Sequence, residues 1–178
     1  MFNRERKAQV WIESVLYTLI GLAIIGVLLA VTRPQIAKTQ DEFVVQQTIR
    51  AMHEIDNKIV EIKQATGNRR LVEFQLSKGY LTVDGINDKM TWTLKGSGYM
   101  FSEPGYEVAI SNIRVLTEKN ADKYDITLTL DYAGSELTVD KQSGAKVLQA
   151  AKLPYKMLLE NYGPDSLSGK INIDISIS

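Results

Sequence analysis

Ser14-Val-Leu-Tyr-Thr-Leu-Ile-Gly-Leu-Ala-Ile-Ile-Gly-Val-Leu-Leu-Ala-Val-Thr32 runs for nineteen residues without a charge. At a rise of about 1.5 Å per residue, a helix of that length covers about 30 Å, the thickness of the hydrocarbon core of a bilayer. A helix buried in a globular domain keeps a polar stripe, and this one has none. The stretch therefore reads as a membrane-crossing helix, and the rest of the chain is organised around it.

Immediately before it, Arg4, Arg6 and Lys7 stand against a single acid, Glu5. The positive-inside rule then puts the N-terminus in the cytoplasm and the remainder of the chain outside. A cleaved secretory signal fits poorly, because Leu28 occupies a place in Leu28-Leu29-Ala30 where signal peptidases need a small residue. Over the whole chain 21 basic residues balance 21 acidic ones, so no cationic surface awaits nucleic acid. Cysteine is absent and His53 is the lone histidine, which excludes disulfides, thiol nucleophiles and Cys/His metal sites.

Glu13 is out of place at the lip of so apolar a run. An ionised carboxylate there costs a few kcal/mol unless it is paired or reaches the interface. One reading is an interfacial glutamate beside an anchoring Trp11. The other comes from the whole stretch Arg6-Lys7-Ala8-Gln9-Val10-Trp11-Ile12-Glu13 and the apolar run behind it. It resembles the N-terminus of archaeal type IV pilin-like proteins with a class III signal peptide. The resemblance implies that a prepilin peptidase removes a basic leader, residues 1–8, by cutting between Ala8 and Gln9 after Lys7. Glu13 then becomes the fifth mature residue. It also implies partners: other copies of the chain or related pilins bundled through this helix, the peptidase and assembly machinery, and the membrane before assembly. Physical chemistry gives Glu13 a matching task, since its carboxylate can neutralise the new amino group of Gln9 in a low-dielectric interior and so set register between helices. Gly21, Ala23, Gly26 and Ala30 leave room for close helix approach, though ordinary membrane helices contain such residues too.

Beyond the span, Pro34 removes a backbone donor and predicts a kink or local opening between Thr32 and Gln35. Helical periodicity resumes at Ile36. Val45, Thr48, Met52, Ile55, Ile59 and Ile62 recur at three- and four-residue steps, while Glu42, Gln46, Arg50, Glu54, Lys58, Glu61 and Lys63 fill the other faces. The seam covers fewer than three heptads, so it reads as a helix lying on its own globular domain rather than as a coiled coil. The pattern predicts one long helix over 9–66, amphipathic over 36–65 and stopped at Thr66-Gly67-Asn68. His53 lies beside the seam and reads as a boundary residue. A long first helix of this kind also resembles that of pilins.

From Arg70 the period drops to two. Leu71–Leu76 and Tyr80–Val83 flank Lys78-Gly79 and predict a hairpin. Further strands are expected at Lys89–Lys95, Glu107–Thr117, Lys123–Tyr132, Glu136–Asp140, Lys146–Lys152, Tyr155–Asn161 and Lys170–Ile177. Eight or nine short strands make an antiparallel β-sandwich or sheet, the head domain over 67–178. In the last strand Ile171, Ile173, Ile175 and Ile177 should face the core, with the polar side outward. Such a strand needs pairing in the sheet or by a partner. Ser102-Glu103-Pro104-Gly105 and Pro154-Tyr155-Lys156 before strands are similar to pilin-like heads. The fold class is α+β: a long N-terminal hydrophobic α-helix, kinked near Pro34, followed by an antiparallel β-sandwich or sheet.

No phosphate loop, dinucleotide fingerprint, zinc helix, EF-hand loop or nucleophile elbow occurs in the sequence. Asp84, Asp88, Asp122, Asp125, Asp131 and Asp140 sit at or near turns, where aspartate is common without calcium. No catalytic residue, metal ligand or cofactor is expected. The resemblance implies a structural subunit of a surface filament, held first in the cell membrane and then in the filament. The alternative is an uncleaved single-pass membrane protein with an outer β domain that binds a ligand.

Overall fold

The computed structural model describes residues 3–166 and 168–178, with side chains described from Trp11 onward. A single helix, α1 (Asn3–Ile62), precedes ten strands: β1 (Arg69–Phe74), β2 (Tyr80–Asp84), β3 (Lys89–Ser97), β4 (Glu107–Ile110), β5 (Ile113–Asn120), β6 (Lys123–Asp131), β7 (Ser135–Val139), β8 (Ala145–Gln149), β9 (Tyr155–Pro164) and β10 (Ile171–Ile177). The chain divides into two compact units, one ending at Thr39 and the other running Gln40–Ser178.

In the first unit every side chain from Trp11 to Thr39 is exposed apart from a half-buried Gly21. The two threonine hydroxyls of the apolar run donate inside the helix, Thr18 to the Ser14 carbonyl at 2.8 Å and Thr32 to the Leu28 carbonyl at 2.7 Å. Such back-bonding satisfies each hydroxyl within the helix itself. Helical geometry is uninterrupted through Pro34. The proline deprives the Ala30 carbonyl of its amide partner, yet this single lost bond does not open the turn.

The second unit begins with the amphipathic half of α1. Val45, Met52, Ile55, Ile59 and Ile62 are at most 1% exposed, as their spacing predicts, and Val44 and Ile49 widen the apolar stripe. Thr48 is half-buried and donates to the Val44 carbonyl. The helix proper stops at Ile62, ahead of the expected Thr66-Gly67 stop. Asn161 of β9 caps it from a distance, its amide donating to the carbonyls of Ile62 and Ala65. Gly67 then takes a φ of +82°, open to glycine without strain, and its amide donates to the Asn161 carbonyl at 2.7 Å.

A four-stranded sheet runs in the order β1-β9-β10-β7, and a six-stranded sheet in the order β4-β5-β6-β3-β2-β8. Alternation places two rows of the larger sheet in the core: Leu81–Trp92–Leu128–Val115 and Val83–Met90–Leu130–Ile113. All eight side chains are at most 2% exposed. The opposite face carries the intervening residues, among them Thr82, Thr91 and Thr129 in one row.

Several strand expectations need correction. β1 and β2 do not pair with each other: β1 pairs with β9, and β2 with β3 and β8. Residues 75–79 instead carry the chain from one sheet to the other, with Leu76 only 2% exposed on the way. Gly79, at φ +75°, lets the backbone press against Trp92, whose indole N–H donates to the Lys78 carbonyl. Long-range burial has overridden a locally good turn signal. The expected strand 107–117 is a hairpin, β4/β5, turning at Ser111-Asn112 with Ser111 at φ +54°.

One pairing, β7 with β10, is parallel, so the smaller sheet is mixed. Ile173 and Ile175 of β10 are fully buried as expected, and β9 and β7 pair with the strand on its two sides. Its polar side is not solvated throughout, because Asp174 is 1% exposed. That carboxylate is satisfied by the Thr138 hydroxyl at 2.9 Å, the Lys141 amide at 2.6 Å and the Ser176 hydroxyl at 2.9 Å. A buried carboxylate with three donors is tolerated where an unpaired one is not.

Candidate functional site

The residues singled out for processing, Lys7, Ala8 and Gln9, lie on the α1 backbone, and their side chains are outside the described residues. Glu13 is exposed, one turn before Tyr17 on the same helical face, while Trp11 lies on the opposite side of the helix; the two aromatic residues are 72% and 70% exposed. Trp11, Ser14, Val15, Thr18 and Leu19 line a shallow groove along the same stretch. Aromatic rings at the end of an apolar run suit a membrane interface. By length and composition α1 is sufficient to cross a membrane.

Two buried aspartates that the sequence reading passed over fix the rear half of α1 to the strands. Asp41 accepts hydrogen bonds from Lys78 Nζ at 2.8 Å, the Gly98 amide at 2.9 Å and the Ser97 hydroxyl at 3.3 Å. Burial pushes its carboxyl up, but the hydrogen bonds and the Lys78 charge outweigh burial and hold it below the ordinary value. Asp56 accepts from the Tyr132 hydroxyl at 3.2 Å and from Asn112 Nδ2 at 2.8 Å. Burial, together with the Asp56 charge, raises the Tyr132 phenol far above the normal range. Lys63 Nζ stands 5.7 Å from the centre of the Tyr132 ring, and its own pKa is lowered by burial against the opposing pull of Asp56. A helical spacing that tracks only apolar residues misses both aspartates. The usable signal was an acid inside the apolar stripe, at positions 41 and 56.

His53 is half-buried at the edge of the stripe, as expected of a boundary residue, and its Nδ1 faces inward without a hydrogen-bond partner among the described residues. Five of the turn aspartates spend oxygens on backbone amides, some nearby and some far along the chain. Asp84 caps the Ile86 and Asn87 amides, Asp88 receives the Leu137 amide, and Asp125 receives that of Gly96. Asp131 receives the Ala133 amide and Asp140 receives that of Ile177. Among the described residues no three His, Cys, Asp or Glu side chains converge as a metal site requires. Comparison with family models, with curated proteins and with solved structures yields no match.

Proposed function

We propose that this protein is a structural subunit of an archaeal type IV pilus-like surface filament. In this reading a prepilin peptidase cuts between Ala8 and Gln9, and the head domain lies outside the cell. The carrying observation is an apolar helical surface, Ser14–Thr32, exposed along its length directly behind a basic cluster and Glu13. So much apolar area in water is strongly unfavourable, at about 25 cal/mol per Å². Lipid covers it before assembly, and the helices of other copies cover it afterwards. Glu13 pairs with the amino group of Gln9 and fixes the axial register of the bundle. The second unit, a β-rich body with its own core, supports the reading as the part displayed at the surface.

The deciding experiment is N-terminal mapping of the chain co-expressed with an archaeal prepilin peptidase. A start at Gln9 is expected. An intact N-terminus beside an active peptidase sinks the pilin reading and leaves an anchored binding domain in its place.

A further inference from the structure

The two sheets have four edge strands, and three of them are guarded. β1 carries Arg69, Arg70 and Glu73. On β7 the Leu137 amide donates to Asp88, and the Leu137 carbonyl lies against Gly85. On β8 the Lys146 ammonium donates to the Ile177 carbonyl, and the Gln149 carbonyl accepts from the Tyr155 hydroxyl. The fourth edge is β4, which pairs only with β5. Its sequence Glu107-Val108-Ala109-Ile110 holds one charge, and all of it but Ile110 is exposed. Charges, lysines and covering segments are what keep a free edge from pairing, so β4 is the edge left open to another strand.

The two-residue turn at Ser111-Asn112 makes Ile110 and Ile113 a hydrogen-bonded pair, and alternation makes Val108 and Val115 the next. The N–H and C=O groups of Glu107 and Ala109 therefore point away from β5. A second β4 laid antiparallel against them, with Val108 facing Val108 of the second copy, pairs Glu107 with Ala109 in both directions. The backbone is satisfied on both sides, and no like charges stand opposite. On one face the two Val108 side chains, 40% exposed before pairing, meet, and Tyr106, 66% exposed, comes opposite Ile110 of the second copy. On the other face each row across the joint reads Arg114, Ala109, then Glu107 and Leu116 of the second copy. Arg114 already leans toward this edge, with Nε 4.0 Å from Glu107 of its own copy and Nη2 2.8 Å from Asp131. Its Nη1 is left for Glu107 of the second copy, across the small Ala109 side chain. The edge is thus complementary to itself in backbone pairing, apolar contact and charge, whereas an unrelated peptide is assured only of the first.

We propose that β4 joins two copies of this chain edge to edge, in a two-fold antiparallel pairing centred on Val108 that continues the six-stranded sheet from one copy into the next. The contact lies wholly in the second unit and does not depend on removal of residues 1–8. The chain has no cysteine, so one introduced thiol reports on one place. In this pairing the two Val108 residues form a non-hydrogen-bonded pair with Cα atoms about 4.5 Å apart, within the span of a disulfide. The full chain is oxidised mildly, in membranes of the producing cells and after purification in detergent micelles, as Val108→Cys and as Val147→Cys. The second variant puts its thiol on β8, at the opposite edge of the same sheet, where Val147 is 52% exposed. A disulfide-linked homodimer is expected from Val108→Cys and not from Val147→Cys. Adding Glu107→Arg to Val108→Cys brings a second guanidinium toward Arg114 of the second copy and should lower the dimer fraction about fivefold at an unchanged melting temperature. In the wild-type chain, hydrogen exchange at the Glu107 and Ala109 amides should slow as the protein is concentrated. The proposal is overturned if Val108→Cys gives no dimer, if it links instead to a different protein, or if Val147→Cys dimerises equally. It is equally overturned if Glu107→Arg leaves the dimer fraction unchanged, or if exchange at the two amides is fast at every concentration.

Discussion

Tyr132 donates its phenolic hydrogen to Asp56 across 3.2 Å, joining residues 76 positions apart in the chain. The bond ties α1 to the turn that follows β6, with Asn112 holding the second carboxylate oxygen. Tyr132→Phe removes the donor and leaves a buried oxygen short of a partner. The expected cost is about 1–3 kcal/mol of unfolding free energy, read from urea denaturation. Unchanged stability would show that water or a side-chain shift replaces the bond.

Asp41 makes a pH prediction with a definite sign. Its folded pKa lies below its ordinary value, so its stabilisation is present above about pH 4 and is lost as pH falls through the folded value. The difference in stability between wild type and Asp41→Asn should be constant near neutrality and shrink on acidification below that point. A difference that grows as the solution is acidified contradicts the assignment.

Gly79→Ala should be among the more damaging single changes in the head. A Cβ there would stand 2.4 Å from the Thr93 carbonyl oxygen and 2.9 Å from Trp92 Nε1, at a φ of +75°. The strain of the left-handed backbone alone is of order 1 kcal/mol, and the backbone contact adds to it. Gly134→Ala, which meets nothing within 4 Å, is the matched control. Thermal melts of the two variants separate the effects, with a clear drop in midpoint expected only for the first.

Glu13→Ala removes one carboxylate from an exposed helical position. Membrane insertion should be unaffected or slightly improved, since a charge leaves the apolar boundary. On the filament reading proposed above, assembly should fail or drop sharply, to be read from electron micrographs of the producing cells. Normal filaments from this variant would remove Glu13 from the assembly mechanism.

Much of the architecture could be read from local periodicity. Val45, Met52, Ile55, Ile59 and Ile62 announce a buried stripe through their spacing, and the alternation at 123–132 and 171–177 announces strands. Pairing partners were less legible, because they are decided by burial between distant segments. Nothing local tells β1 to choose β9 over β2, or β7 to lie parallel to β10. Asp41 and Asp56 were hidden for the same reason, since their partners Lys78, Gly98, Asn112 and Tyr132 lie 37 to 76 residues away. At the N-terminal end, the residues of the proposed processing site, Lys7, Ala8 and Gln9, come from the sequence alone.

β10 lies between β9 and β7, and its Ile173 and Ile175 are fully buried. Without β10 the four-stranded sheet lacks an inner strand. A chain stopped short of this strand leaves β7 and β9 with open edges and an uncovered apolar interior. β10 is thus the seam that closes this sheet, and a copy lacking it exposes the apolar surface that Ile173 and Ile175 otherwise conceal.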